Sequence, residues 1–478
     1  MIENNNQKKI ALPHFAAGVV LSVVIIATHP DLNASFFLML FPATMLPLSI
    51  IVQRIQTGKA FTVLTIYSAL YLFECLGGVI ASTQPILAGR YDIISANQLT
   101  QVVGVYFSGY VLFLAGYYIY FRWYTARRNL NDSDSKPPMD TLLGPTLSPQ
   151  GWRYLFSILS LSVSLKLVQI YQRIMAAGGL ESYFDNMYSY RFGTFADDAT
   201  TNAFVVLANL LGGLALSLAG MGLLKTLNEN ISRVKRIILY GAVTIIVLFA
   251  LASTFRSTFF FTILALLGLY NHVRPFDTAK IMKYSVLMFI VLVSVNFYHS
   301  YMYYATAGWE YRSFLSAQSS LLAPQSHLHT LSVVMNTAMH APFLYGEGLL
   351  DTIFFFIPRF LWLDKSDLCS TLLIQFWAGI PHWYQMAPTS VGELIAHFGY
   401  AGMIGMLFFG LIHGFLETLR FRSTPMQAGF YCVVLPRLLV HLGMGIGAVS
   451  LTLFQLALLY ILTRFIIEPT PAAIIDDA

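Results

Sequence analysis

The fold class follows from residues 102–124, VVGVYFSGYVLFLAGYYIYFRWY. The first charged side chain in this stretch is Arg122, so about 20 residues pass without a charge, enough for a helix to cross a hydrocarbon core of about 30 Å. In lipid, a long unbroken apolar run is helical because each backbone amide then finds its partner inside the segment. The stretch predicts a transmembrane helix.

Similar apolar runs recur along the chain. Of the 478 residues, 56% are hydrophobic and 11% are charged, whereas soluble domains carry about 25% charged residues. The predicted fold is therefore all-α, a polytopic integral membrane protein with about 12 transmembrane helices. The other predicted spans lie near residues 10–28, 34–53, 60–82, 152–174, 203–224, 237–253, 257–271, 284–305, 399–419, 428–442 and 447–466.

Basic residues orient these spans. The formal net charge is +5, and most basic residues fall in short loops on one side. That distribution predicts cytoplasmic termini rather than nucleic-acid binding. We expect three regions: residues 1–305, with transmembrane helices 1–9 and a polar cytoplasmic linker at 125–151; residues 306–398, a large periplasmic loop with interfacial helices; and residues 399–478, with transmembrane helices 10–12 and a cytoplasmic tail.

The large loop holds most of the tryptophans. Four of the six lie there: Trp309, Trp362, Trp377 and Trp383. They either mark the outer membrane interface or stack on sugar rings, and the pattern favours neither alternative.

Arg256 is the most unusual charge in the sequence, because it lies between two apolar runs. A charge at mid-membrane depth costs at least about 2.5–3.5 kcal/mol. The arginine either reaches the lipid headgroups or binds an anion, and we favour the second interpretation because no long loop lifts Arg256 clear of the membrane.

Further cations are expected outside or within the membrane: Arg191, Arg312, Arg359, Lys365 and Arg437. Several guanidinium groups around one outer cavity would bind a phosphate or pyrophosphate in bidentate fashion. For Arg312 and Lys365, ion pairs with the neighbouring Glu310 and Asp364 remain an equal alternative.

Glu393 and His397 stand four residues apart and would share one helix face. They are the candidate catalytic residues, with Glu393 as general base and His397 sharing or taking that role. A structural pair that holds the loop down is the alternative. His327 and His329 lack an acidic or cysteine ligand at matching spacing, so we expect no metal and no cofactor.

Several of these motifs together resemble a known family. The segments Pro358-Arg359-Phe360-Leu361-Trp362, Pro388-Thr389-Ser390-Val391-Gly392-Glu393 and Phe398-Gly399-Tyr400-Ala401-Gly402 occur in this order, with Lys365 after the first. The Tyr-rich segment ending at Arg191 and the turn at Arg256 precede them. The pattern is similar to the bacterial oligosaccharide repeat-unit polymerases, the Wzy-type O-antigen polymerases, with the enterobacterial common antigen polymerase as a cousin. It covers roughly residues 170–420. Leu363-Asp364 departs from it, since a Trp-Pro pair is common there.

This resemblance implies a GT-C-like membrane glycosyltransferase in the bacterial inner membrane. Its substrate would be an undecaprenyl-pyrophosphate-linked oligosaccharide, polymerised on the periplasmic face, with a chain-length regulator as a possible partner. Arginines would hold the departing pyrophosphate in place of a metal. The alternatives are an O-antigen ligase-like transferase, which uses the same donor, and a lipid-linked oligosaccharide flippase.

Overall fold

The structure is a computed structural model that describes residues 34–57, 61–83, 95–127, 147–176, 178–179, 182, 214–223, 226, 231–252, 256–273, 280, 283–284, 287, 290–291, 293–294, 327–349, 370–379, 389–419, 431, 435 and 446–462. These residues form helices and short connections, and no strand occurs among them.

In chain order, the helices within these ranges are α1 (Ala34–Gln56), α2 (Val63–Thr83), α3 (Ala96–Arg127), α4 (Pro149–Ala176), α5 (Leu214–Leu223), α6 (Arg233–Ala252), α7 (Arg256–Val273), α8 (His327–His340), α9 (Ser370–Trp377), α10 (Thr389–Phe398), α11 (Gly405–Leu419) and α12 (Ile446–Ile461). A 3-10 helix, Gly399–Ile404, joins α10 to α11.

The helices bear out an all-α membrane protein. By length and composition, four of the described stretches are able to cross a membrane: α1, α3, residues Pro149–Gln172 of α4, and Thr389–Thr418. The predicted spans at 60–82, 237–253 and 447–466 also coincide with helices, namely α2, α6 and α12.

Aromatic side chains pack α2 against α3. Tyr71 stacks on Tyr110 with ring centroids 4.3 Å apart, and Tyr67 lies 3.9 Å from the ring of Phe113. The hydroxyl groups of Ser68 and Tyr110 are 2.7 Å apart, so the buried phenol has a hydrogen-bond partner. These contacts hold the two helices side by side, because a buried tyrosine contributes both the packing of its ring and the hydrogen bond of its hydroxyl group.

Glycines bring the backbones of α3 and α11 into direct contact. A Cβ atom at Gly116 would lie 2.0 Å from the carbonyl oxygen of Leu407, and one at Gly410 would lie 2.1 Å from that of Phe113. Gly410 and Gly414 form the four-residue glycine spacing that lets membrane helices approach closely. The α3–α11 pair is therefore the tightest seam in the described bundle, and it supports the segment that carries Glu393.

Candidate buried acid–histidine site

Helix α10 carries both candidate catalytic residues, and it is enclosed by protein. Residues 389–397 are all buried. The helix begins at Thr389, whose hydroxyl accepts the backbone N–H of Gly392 at 3.0 Å. Thr389 has φ of 61°, a left-handed conformation that is a genuine outlier for a β-branched residue. The start of α10 is thus held in a strained backbone conformation by its surroundings.

Glu393 and His397 lie one turn apart on this helix, and both have no exposed surface. Oε2 of Glu393 accepts a hydrogen bond from the backbone N–H of Ile446, the first residue of α12. A carboxylate at a helix N-terminus satisfies a backbone donor and interacts favourably with the helix dipole. Glu393 therefore connects α10 to α12.

The chain after α8 covers the other end of α10. The backbone N–H of Leu344 donates to the carbonyl of Ala396, and that of Tyr345 donates to the carbonyl of His397, both at 3.0 Å. Further out, Nε1 of Trp377 donates to the carbonyl of Pro342 at 2.8 Å. The bonds to the carbonyls of Ala396 and His397 satisfy acceptors that the end of α10 leaves open.

Helix α8 places part of the predicted loop inside the bundle. It packs against α2, α3 and α10 through the buried side chains of Leu328, Leu331 and Val334. The residues assigned by sequence to a large outer loop thus include a helix that forms part of the wall around Glu393 and His397.

The chain breaks sharply just after His397. Gly399 has φ of 64°, and a Cβ atom at Gly402 would lie 2.3 Å from the carbonyl oxygen of Leu394. The chain therefore folds back on α10 before it continues into α11, and the apolar stretch 389–418 is not one straight helix. Broken helices at membrane depth occur where the backbone is buried in protein or lines a cavity.

Sequence reasoning missed a second buried carboxylate, Glu417 on α11. Its Oε2 accepts the backbone N–H of Val63 at 2.8 Å and the hydroxyl of Tyr431 at 2.6 Å. Arg54 lies close enough to interact with it electrostatically. His413 and Glu417 are also four residues apart, with the order of histidine and acid reversed relative to the first pair, and this spacing was the only signal of the second site in the sequence.

Glu74 is a third acid inside the apolar helices. It lies in the middle of α2 and accepts a hydrogen bond from the hydroxyl of Tyr106 on α3. Each of the three acids thus has a donor from another part of the chain, as expected for ionisable groups within a membrane.

The structure describes one of the nine other predicted site residues. Arg256 is the first residue of α7. Those that lie outside the described residues are Arg191, Arg312, Arg359, Lys365, Arg437, Trp309, Trp362 and Trp383. Among the described residues, no group of three or more His, Cys, Asp or Glu side chains is arranged to hold a metal ion.

Comparison with known proteins adds no family assignment. No protein-family model matches the chain, and neither curated proteins nor solved structures match it.

Proposed function

We propose that this protein polymerises undecaprenyl-pyrophosphate-linked oligosaccharide repeat units into a surface polysaccharide such as O-antigen. The proposal rests on the motif order between residues 170 and 420 together with a membrane-embedded helical fold. It includes about 12 spans in the bacterial inner membrane, cytoplasmic termini and a periplasmic loop at 306–398, with reaction on the periplasmic face.

The observation that carries the proposal is the burial of Glu393 and His397 on one short helix at a chain break. Ionisable residues inside a membrane are costly and mark functional sites by default. The hydrogen bond from the N–H of Ile446 fixes the carboxylate of Glu393 in position. A carboxylate that is held in one orientation is suited to meet a substrate in a defined geometry.

The proposed reaction needs one proton acceptor. The acceptor sugar's hydroxyl oxygen attacks the anomeric carbon of the donor and gives its proton to Glu393, with His397 sharing that proton or taking the role. The bond between the anomeric carbon and the phosphate oxygen breaks, and the pyrophosphate leaves with the electron pair. For this transfer, the hydroxyl has to approach the base to about 2.6–3.2 Å.

The leaving pyrophosphate needs positive charge rather than a proton. Arg256 begins α7, and a cation is disfavoured at the positive end of a helix dipole unless an anion lies near. The first N–H groups of a helix favour an anion at this end, and an arginine side chain is suited to hold phosphate oxygens in bidentate fashion. The other arginines, Lys365 and the sugar-stacking tryptophans complete the proposed site, with no metal and no cofactor.

The test in cells is the polysaccharide ladder of a deletion strain. Loss of a polymerase leaves a single repeat on the final lipid, and the parent chain restores the ladder. Long chains retained on the carrier would instead indicate a ligase. Single carrier-linked units facing inward would indicate a flippase.

A further inference from the structure

A groove opens between the beginnings of α4 and α6. Its volume is about 430 Å³, and its lining residues are Pro149, Trp152, Arg153, Phe156, Ser157 and Lys235. A Cβ atom at Gly222 of α5 would lie 2.6 Å from the side chain of Leu239 and 3.2 Å from that of Leu155, so α5 contacts both α4 and α6. The groove is therefore built on described, packed helices.

The groove pairs an indole with cations. Nζ of Lys235 lies 4.9 Å from the ring centroid of Trp152, within the range of a cation–π contact. Trp152 itself is buried and stacks on Phe156, with centroids 5.5 Å apart. The aromatic pair thus forms a fixed floor, and the ammonium group of Lys235 is held over it.

The charged residues that line the groove are both basic. Arg153 on α4 and Lys235 on α6 line it, and Arg233 and Arg236 stand on the same first turns of α6. Residues 147–157 and 231–240 contain no acidic side chain. Both helices begin here, so their dipoles add to the positive potential. Cations at a helix start are unfavourable unless an anion compensates them.

The surface next to these cations is apolar. On α6, the side chains of Val234, Ile237 and Tyr240 are 65%, 62% and 56% exposed. We expect this surface to face acyl chains, because exposed apolar side chains on a hydrophobic helix are better solvated by lipid than by water. The cations would then lie at the headgroup end of the helix, where a ligand with an anionic head and apolar chains meets both surfaces.

We infer that the groove binds the headgroup of an anionic phospholipid, with its acyl chains along the exposed apolar side chains of α6. Basic pockets between membrane helices are suited to anionic headgroups. A free phosphate ion would use the cations but not the apolar surface, so the combination favours the lipid. This inference is independent of the proposed polymerase activity.

The test uses the full-length protein in nanodiscs of phosphatidylcholine. Equal small fractions of dibrominated phosphatidylglycerol or dibrominated phosphatidylcholine are added, and quenching of tryptophan fluorescence is measured. We expect the anionic lipid to quench more strongly than the neutral one. The excess should disappear in Trp152→Phe, because that indole lies in the groove.

Variants that remove a positive charge then show which residues cause the preference for the anionic lipid. Each basic side chain near a membrane surface strengthens anionic-lipid binding about fivefold. Arg153→Gln with Lys235→Gln should therefore weaken the apparent affinity for phosphatidylglycerol about 25-fold. Arg127→Gln is the matched control, since Arg127 also lies over a tryptophan, Trp123, at 5.5 Å but does not line the groove. It should leave the excess quenching nearly unchanged.

Three results would overturn the inference. One is equal quenching by the two lipids in the parent protein. Another is an equal loss of the excess quenching in Arg127→Gln and in the double variant of Arg153 and Lys235. The third is abolition of the excess by inorganic phosphate alone, which would make the groove a site for free anions.

Discussion

The carboxylate of Glu393 accepts a hydrogen bond from the backbone N–H of Ile446, 53 residues further along the chain. Glu417 does the same for Val63, so two acids from one segment each hold the first N–H of another helix, α12 and α2 respectively. Both acids are buried. An unsatisfied backbone group in hydrocarbon costs several kcal/mol, so removal of either carboxylate would leave a buried N–H group without this acceptor.

Substitution of Glu393 by Gln separates catalysis from structure. The amide oxygen of Gln still accepts the N–H of Ile446, so the thermal midpoint should stay close to that of the parent. Loss of the basic carboxylate should cut turnover of lipid-linked repeat units by a factor of about 10² or more. The measurements are turnover and thermal unfolding of the same purified preparation.

Glu393→Leu is the companion variant, and it should lower both stability and turnover because the N–H of Ile446 loses its acceptor. If Glu393→Gln keeps turnover within a few-fold of the parent, Glu393 serves only to hold α12. His397 and the histidines of the predicted outer loop would then become the candidate bases.

Arginines at positions 256 and 359 should be essential. Arg256→Ala and Arg359→Ala are expected to abolish polymerisation, because the pyrophosphate loses its bidentate partner. Lys at either position should rescue poorly, since an ammonium group lacks the planar pair of donors. Ladder formation in cells is measured beside the amount of protein inserted in the membrane. Near-normal ladders from both alanine variants would rule out the pyrophosphate role.

The Glu417 network should be purely structural. Glu417→Ala leaves the N–H of Val63 and the hydroxyl of Tyr431 without this acceptor, at a cost of about 1–3 kcal/mol for each donor. Glu417→Gln retains an acceptor oxygen and should lower the free energy of unfolding by less than Glu417→Ala does. Tyr431→Phe removes one bond and should cost about 1 kcal/mol. Thermal unfolding in detergent compares the three, and equal stability of the Ala and Gln variants would contradict the network.

The seam between α3 and α11 should not tolerate a methyl group. Gly116→Ala would place Cβ 2.0 Å from the carbonyl oxygen of Leu407, and overpacking of this kind costs about 1–3 kcal/mol. Gly241→Ala on α6 is the matched control, because nothing lies within 4 Å of its Cβ. Gly241→Ala should raise the free energy of unfolding by about 0.5–1 kcal/mol, because alanine has a higher helix propensity than glycine. A stable Gly116 variant in thermal unfolding would show that the helices are further apart.

The hydrophobic pattern predicted the positions of several of the described helices. The predicted spans at 34–53, 60–82 and 102–124 correspond to α1, α2 and α3 within a few residues at most ends. Runs of this length leave a chain in lipid few other conformations. The same reasoning placed Glu393 and His397 on one helix face, since that follows from their spacing alone.

The partners of these residues were beyond the sequence pattern. The bond from Ile446 to Glu393 joins distant parts of the chain, and no local periodicity encodes it. The burial of α8 beside α10 was likewise missed, because a 14-residue helix is too short to read as a span. Glu417 lay at the end of an apolar run, where an acid normally reaches solvent.

Purified protein incubated with lipid-linked repeat units tests the polymerase proposal most directly. The account predicts a ladder of carrier-linked products on a gel, formed without added metal and in the presence of a chelator. It also predicts that Glu393→Gln gives almost no ladder from the same substrate. The account would be contradicted if the folded parent protein left the single-repeat substrate unchanged, or if it passed that unit only to an added lipid A core acceptor.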